Sequence, residues 1–219
     1  MKTLTQAVMK LAPPGGAFDE TVVRNLFPDV SEGARKLLVH RAVGSGEIIR
    51  LKPGLFVLCR EYRKTEPHPY VVAALLHSPS HISLESALAH HGLIPEAVQQ
   101  VSSVTALRSR KFTTPLGVFS FQRVPARNPR AGVEAVKLGT GSWAFIAVAL
   151  RALADMVYLN RAVSWSEDGL RYVLESLRIE EEDLAAIPAG ALSEICESIR
   201  SSRVVTYIEN LVKEVPLAE

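Results

Sequence analysis

Cysteine is nearly absent from this chain of 219 residues, which holds only Cys59 and Cys196. They lie far apart and neither belongs to a Cys-x-x-Cys pair, which excludes a disulfide framework and a cysteine-rich zinc site. A hydrophobic content of 47% is enough for a core that needs no such help. A charge-free apolar run is missing too: the longest candidate span, Ser142 to Leu159, carries Arg151 and Asp155 near its middle, so it reads as a buried core helix with no membrane partner. The N-terminus alternates polar and apolar residues and reaches Pro13-Pro14 too early for a signal-peptide core, which predicts a cytoplasmic protein. There is no internal repeat and no low-complexity segment.

What is present is an uneven distribution of charge. The net charge is +2, but residues 1–60 sum to +4, residues 61–130 to +4 and residues 131–219 to −6. A basic first half with an acidic last third suits a protein that turns one end toward a polyanion.

Leu4, Ala7, Val8 and Leu11 recur at helical spacing before Pro13-Pro14-Gly15-Gly16 ends the pattern. A second helix opens at the N-cap Asp19 and stops at Pro28. Ser31 caps a third, in which Ala34, Leu37, Leu38 and Ala42 are expected on the buried side and Arg35, Lys36 and His40 on the other. Two β-type runs follow, joined by Pro53-Gly54, a pair suited to a type II turn, with Arg50 and Lys52 beside the tip. Three short helices and a basic hairpin make the order of a winged helix-turn-helix over residues 1–60. On that reading Ser31, Arg35, Lys36 and His40 face double-stranded DNA from the recognition helix, and Arg50 and Lys52 neutralise phosphates from the wing.

Residues 61–68 are polar and read as a linker, with Pro67 and Pro69 bracketing His68. Residues 69–219 form the second domain. A short apolar helix starts at Pro69, and Val101–Leu107 and Gly117–Val124 alternate as strands of a small antiparallel sheet. Arg108, Arg110, Lys111, Arg123, Arg127 and Arg130 supply a second basic surface there. From Ser166 to Val215 the pattern is helical, with the acidic run at Glu180–Asp183 opening a helix. The fold class is therefore α+β: a winged helix, then a larger mixed domain with a small sheet and a helical C-terminal part.

No constellation for catalysis emerges. His77 and His81 have helical ligand spacing, but Pro79 and Ser80 break that geometry, and His90 and His91 are adjacent and diverge by about 100° on a helix. There is no G-x-S-x-G elbow and no Walker loop, and Gly139–Trp143 lacks the third glycine of a nucleotide fingerprint. Glu85 has no carboxylate companion with which to hold Mg²⁺. The chain reads as a non-enzyme without metal or cofactor. In "HISLESALAHHGLIPE", His81 to Glu96, Ser83 is expected as a helix N-cap, Gly92 and Pro95 as the stop, and His91 as a hydrogen-bonded histidine on the buried stripe of Leu84, Ala87 and Leu88.

That run, with the residues before it from Tyr70, with Val101–Phe121 and with "KPGLFVL" at Lys52–Leu58, resembles the AbiEi family. These are antitoxins of type IV toxin–antitoxin (abortive infection) systems that double as transcriptional regulators. The resemblance covers most of residues 20–160. One element departs: where the family carries A-x-P-E-K-A-L-x-D, this chain has "AVALRALAD", Ala147–Asp155, with Ala149, Leu150 and Arg151 at the Pro, Glu and Lys positions. The resemblance implies a winged helix bound to the operator of its own operon. It also implies a second domain that opposes a nucleotidyltransferase-like toxin without forming a stable complex. The alternative is a stand-alone regulator whose C-terminal domain senses a small molecule or protein.

Overall fold

The computed structural model describes residues 1–94, 100–139 and 141–215. It is a mixed α+β structure with two sheets. Contacts divide the chain into two compact units, Met1–Leu76 with Thr113–Gly117 and Lys137–Ser142, and the remaining residues. Among the described residues no helix is long and apolar enough to cross a membrane.

The first unit follows local sequence rules closely. Helices α1 (Thr3–Leu11), α2 (Glu20–Leu26) and α3 (Glu32–Gly44) precede strands β2 (Ile48–Lys52) and β3 (Leu55–Leu58). Asp19 Oδ1 accepts from Val22 N–H at 2.9 Å and Ser31 Oγ from Ala34 N–H at 3.3 Å, so both helices begin where their caps stand. Gly54, at φ +78°, takes the left-handed position that lets the hairpin reverse. Strand β1 (Ala17–Asp19) adds an outer strand on β3, giving an antiparallel sheet in the order β1-β3-β2. Leu4 and Val8 of α1, Val23 of α2, Val39 and Ala42 of α3, and Phe18, Ile48, Phe56 and Leu58 of the sheet form one core. The buried side of α3 is thus centred on Val39 and Ala42. Leu37 is 45% exposed and Ala34 is exposed, because the stripe that meets α1 and the sheet runs through Arg35, Val39 and Ala42. Helix α4 (Pro69–Leu76) completes this unit.

The second unit is built on a six-stranded sheet. Its elements are β4 (His81–Ile82), α5 (Leu84–His90), β5 (Gln100–Thr105), β6 (Arg110–Thr114), β7 (Gly117–Arg123), β8 (Val133–Leu138), β9 (Ser142–Ala147) and α6 (Ala149–Leu159). The strand order is β6-β7-β5-β4-β9-β8. The small antiparallel sheet expected from sequence is in fact mixed: β5 pairs with β7 in parallel and β4 with β9 in parallel, while β4 and β5 are antiparallel. The apolar run read as one core helix is divided, its first six residues forming β9 and the rest α6. The C-terminal stretch is broken into α7 (Trp165–Asp168), a π-turn at Tyr172–Ser176, α8 (Glu181–Ala185), α9 (Leu192–Ser198) and α10 (Ser202–Glu214). Only α10 is long, and its buried Val204, Tyr207, Ile208 and Leu211 repeat at i, i+3, i+4 and i+7. Arg203 secures this helix to the end of α6 by donating from Nη2 to the Val157 carbonyl at 2.9 Å.

Two readings of the histidine-rich stretch change. His91 caps the C-terminus of α5 and is exposed, although its Nε2 does bond the Ala147 carbonyl, at 2.8 Å. The buried histidine is His81, 7% exposed. Ser83 stands at the N-cap of α5 without capping it, because its hydroxyl donates to Asp155 Oδ2 at 2.8 Å. Pro95 and Glu96 fall outside the described residues.

Candidate nucleic-acid interface

In the first unit, α2, α3 and the β2–β3 turn enclose a groove of about 620 Å³. Its lining includes Arg24 from α2, Arg35, Lys36 and His40 from α3, and Arg50 from β2. Residues 36 and 40 are one helical turn apart and share a face, so α3 presents Lys36 and His40 together. The hairpin brings Arg50 in from the other side, its guanidinium 5.8 Å from the Phe56 ring centroid. Arg24, His40 and Arg50 are all exposed, and among the described residues none of them forms an ion pair. Glu20 and Glu32 also line the groove and offset part of this charge.

The sequence-assigned contacts separate into distinct roles. Lys36, His40 and Arg50 lie in the groove with solvent-facing charge or donors. Lys36 is paired with Glu32 on the same helix, and their hydrogen bond pushes the Lys36 ammonium above its usual range and holds Glu32 below its own. Ser31 is spent locally as the α3 cap. Arg35 is half-buried, and its Nη1 donates to the Phe27 carbonyl at 3.2 Å and to the Val30 carbonyl. It therefore holds the turn between α2 and α3. Lys52 leaves the hairpin tip for another purpose: its Nζ donates to the carbonyls of Leu75 at 2.9 Å and Leu76 at 2.7 Å, at the C-terminus of α4, where the helix dipole favours a cation. Arg24 was not legible as a groove residue, although its place on the polar side of the helix that precedes α3 is a usable signal.

Arg35→Ala is expected to act on stability. Loss of two charge-assisted bonds to turn carbonyls costs about 1–2 kcal/mol, read as a lower urea midpoint.

The second basic surface is split as well. Arg108, Arg110, Lys111 and Arg123 are exposed around one end of the β6–β7 pair, where Ser109 Oγ accepts from Arg123 N–H at 3.0 Å. Arg110 and Lys111 sit on the edge strand of the sheet, where charge discourages pairing with another chain. Arg127 and Arg130 belong to the loop after β7, and Arg130 stacks on Phe145 with its guanidinium 3.6 Å from the ring centroid. Among the described residues no group of three His, Cys, Asp or Glu is placed to hold a metal ion. No protein-family model matches the chain, and no curated protein matches it significantly.

Proposed function

We propose that the chain is a DNA-binding antitoxin that represses its own operon in the cytoplasm and counteracts a nucleotidyltransferase-like toxin. The first unit acts as a winged helix-turn-helix: α3 enters the major groove and the β2–β3 hairpin follows the backbone as the wing. The observation that carries this reading is the convergence of Arg24, Lys36, His40 and Arg50 on one groove from three separate elements. Cations from several elements around one helix suit a polyphosphate better than a single carboxylate partner. The antitoxin part rests on the resemblance of Tyr70–Glu96 and Val101–Phe121 to the AbiEi family.

Two measurements test the proposal. The full chain is expected to bind the DNA directly upstream of its own gene at least 10³-fold tighter than unrelated DNA at physiological salt, roughly the low end of specific repressors. Log affinity is expected to fall linearly with log salt concentration. Equal affinity for unrelated DNA, or no salt dependence, refutes the repressor reading. Co-expression with the toxin encoded beside it is expected to restore growth, and continued arrest refutes the antitoxin reading.

A further inference from the structure

Strands β5 and β7 run in parallel with Ser102 opposite Ser120, so the two side chains stand on one face of the sheet, about 5 Å apart. Their residues are only 2% and 7% exposed. Neither hydroxyl is hydrogen-bonded to another described residue; at Ser102 it is the backbone N–H that is engaged, by Ser86 Oγ at 2.8 Å. Such hydroxyls are free to be completed by water or by a ligand that enters beside them. These two line a groove of about 410 Å³, within the size range of small-molecule sites.

The rest of the lining has a consistent chemistry. Gln100 and Gln122 lie two residues along the same strands from the serines, so each shares the serine's face of the pleat and adds a carboxamide. Glu85, from the first turn of α5, and Asn160, just past α6, are exposed at the edge of the groove. Leu84, Met156 and Leu159 form an apolar wall. Hydroxyls and carboxamides both donate and accept, the carboxylate accepts, and among the described residues no Lys or Arg lines the groove. A phosphorylated or carboxylated ligand would meet Glu85 with no cation to compensate.

The geometry points to a binding site in the second unit for an uncharged, sugar-like polyol, whose vicinal hydroxyls pair with the serines and carboxamides while its C–H face rests on the apolar wall. A free pyranose or furanose and the ribose of a nucleoside share this chemistry. The site does not depend on the nucleic-acid reading of the first unit.

Titration calorimetry on the full chain with glucose, ribose, adenosine, glucose 6-phosphate and ribose 5-phosphate tests it. At least one uncharged ligand is expected to saturate with a Kd of about 1 mM or tighter, and its phosphate ester to bind at least about tenfold more weakly, equivalent to 1.4 kcal/mol. Adenosine binding tighter than ribose assigns a nucleoside, and the reverse assigns a free sugar. Ser120→Val, which removes a floor hydroxyl, and Gln122→Leu, on the exposed wall, are each expected to weaken binding about tenfold. The two variants guard against a folding defect in either one. No saturation below about 10 mM by any uncharged ligand, equal binding of the phosphate esters, or wild-type binding by both folded variants overturns the proposal.

Discussion

Asp155→Asn is expected to lower stability by about 3–5 kcal/mol, a large share of the roughly 5–15 kcal/mol that holds a domain together. Asp155 is fully buried, and Arg151, one helical turn earlier on α6, is 1% exposed. Arg151 Nε donates to Asp155 Oδ1 at 2.9 Å, and its Nη1 donates to the Ala131 carbonyl at 2.7 Å. Ser83 donates to Oδ2 at 2.8 Å, and His81 Nε2 lies 3.7 Å from the same oxygen. One carboxylate thus ties α6 to the β4–α5 junction, and its partner arginine ties α6 to the loop before β8. An asparagine still accepts from Ser83 but leaves the guanidinium buried without a counter-charge, and that uncompensated charge dominates the cost. Arg151→Met combined with Asp155→Leu is expected to recover much of the loss, because the pair's desolvation disappears along with its attraction.

The same carboxylate predicts a pH dependence. Burial works to raise the Asp155 pKa, but the Arg151 charge, with smaller help from His81 and Ser83, holds it below the ordinary carboxylate value. A group depressed in the folded state contributes stability above its unfolded pKa of about 4 and loses it as pH falls through the folded value. Urea midpoints measured from pH 7 to pH 3 should therefore drop more steeply below about pH 4 for the wild type than for Asp155→Asn. Parallel profiles for the two proteins would remove Asp155 from the acid transition.

Arg24→Ala with Arg50→Ala is the second large expected effect. Each exposed cation that contacts a phosphate contributes about 0.9 to the slope of log affinity against log salt, so the double variant loses about 1.8 and binds on the order of 10- to 100-fold more weakly at physiological salt. Stability should barely change, since neither side chain is buried. Lys52→Ala provides the contrast: its ammonium is committed to the end of α4, so the salt slope should stay the same. If Lys52→Ala lowers the slope and the double variant does not, the groove is not the phosphate-facing surface.

The first unit was the most readable part of the chain. Asp19 and Ser31 announce two helix starts and Pro53-Gly54 announces the hairpin, and these rules act within a few residues. Strand β1 escaped because three residues carry no periodicity and exist only by pairing with β3. The second unit was harder. Residues 142–147 look like the continuation of the apolar α6, yet Ile146 pairs in parallel with Ile82, and the exposed face of this strand carries Trp143 and Phe145, apolar residues that hide in the sequence the alternation that marks a strand. In the candidate interface, the positions of Lys36, His40 and Arg50 followed from sequence, while the engagements of Arg35 and Lys52 did not.

Sequence by itself determined the caps of α2 and α3, the hairpin turn and the basic bias of the first half, because each depends on near neighbours or on residue type alone. Tertiary structure alone decided which cations keep their charge for solvent, that Ser83 turns from its helix to Asp155, and that Ser102 and Ser120 stand side by side. The physical reason is the same in each case: a polar group binds the nearest satisfying partner in space, and residues 72 positions apart, as Ser83 and Asp155 are, become neighbours only when the chain is folded.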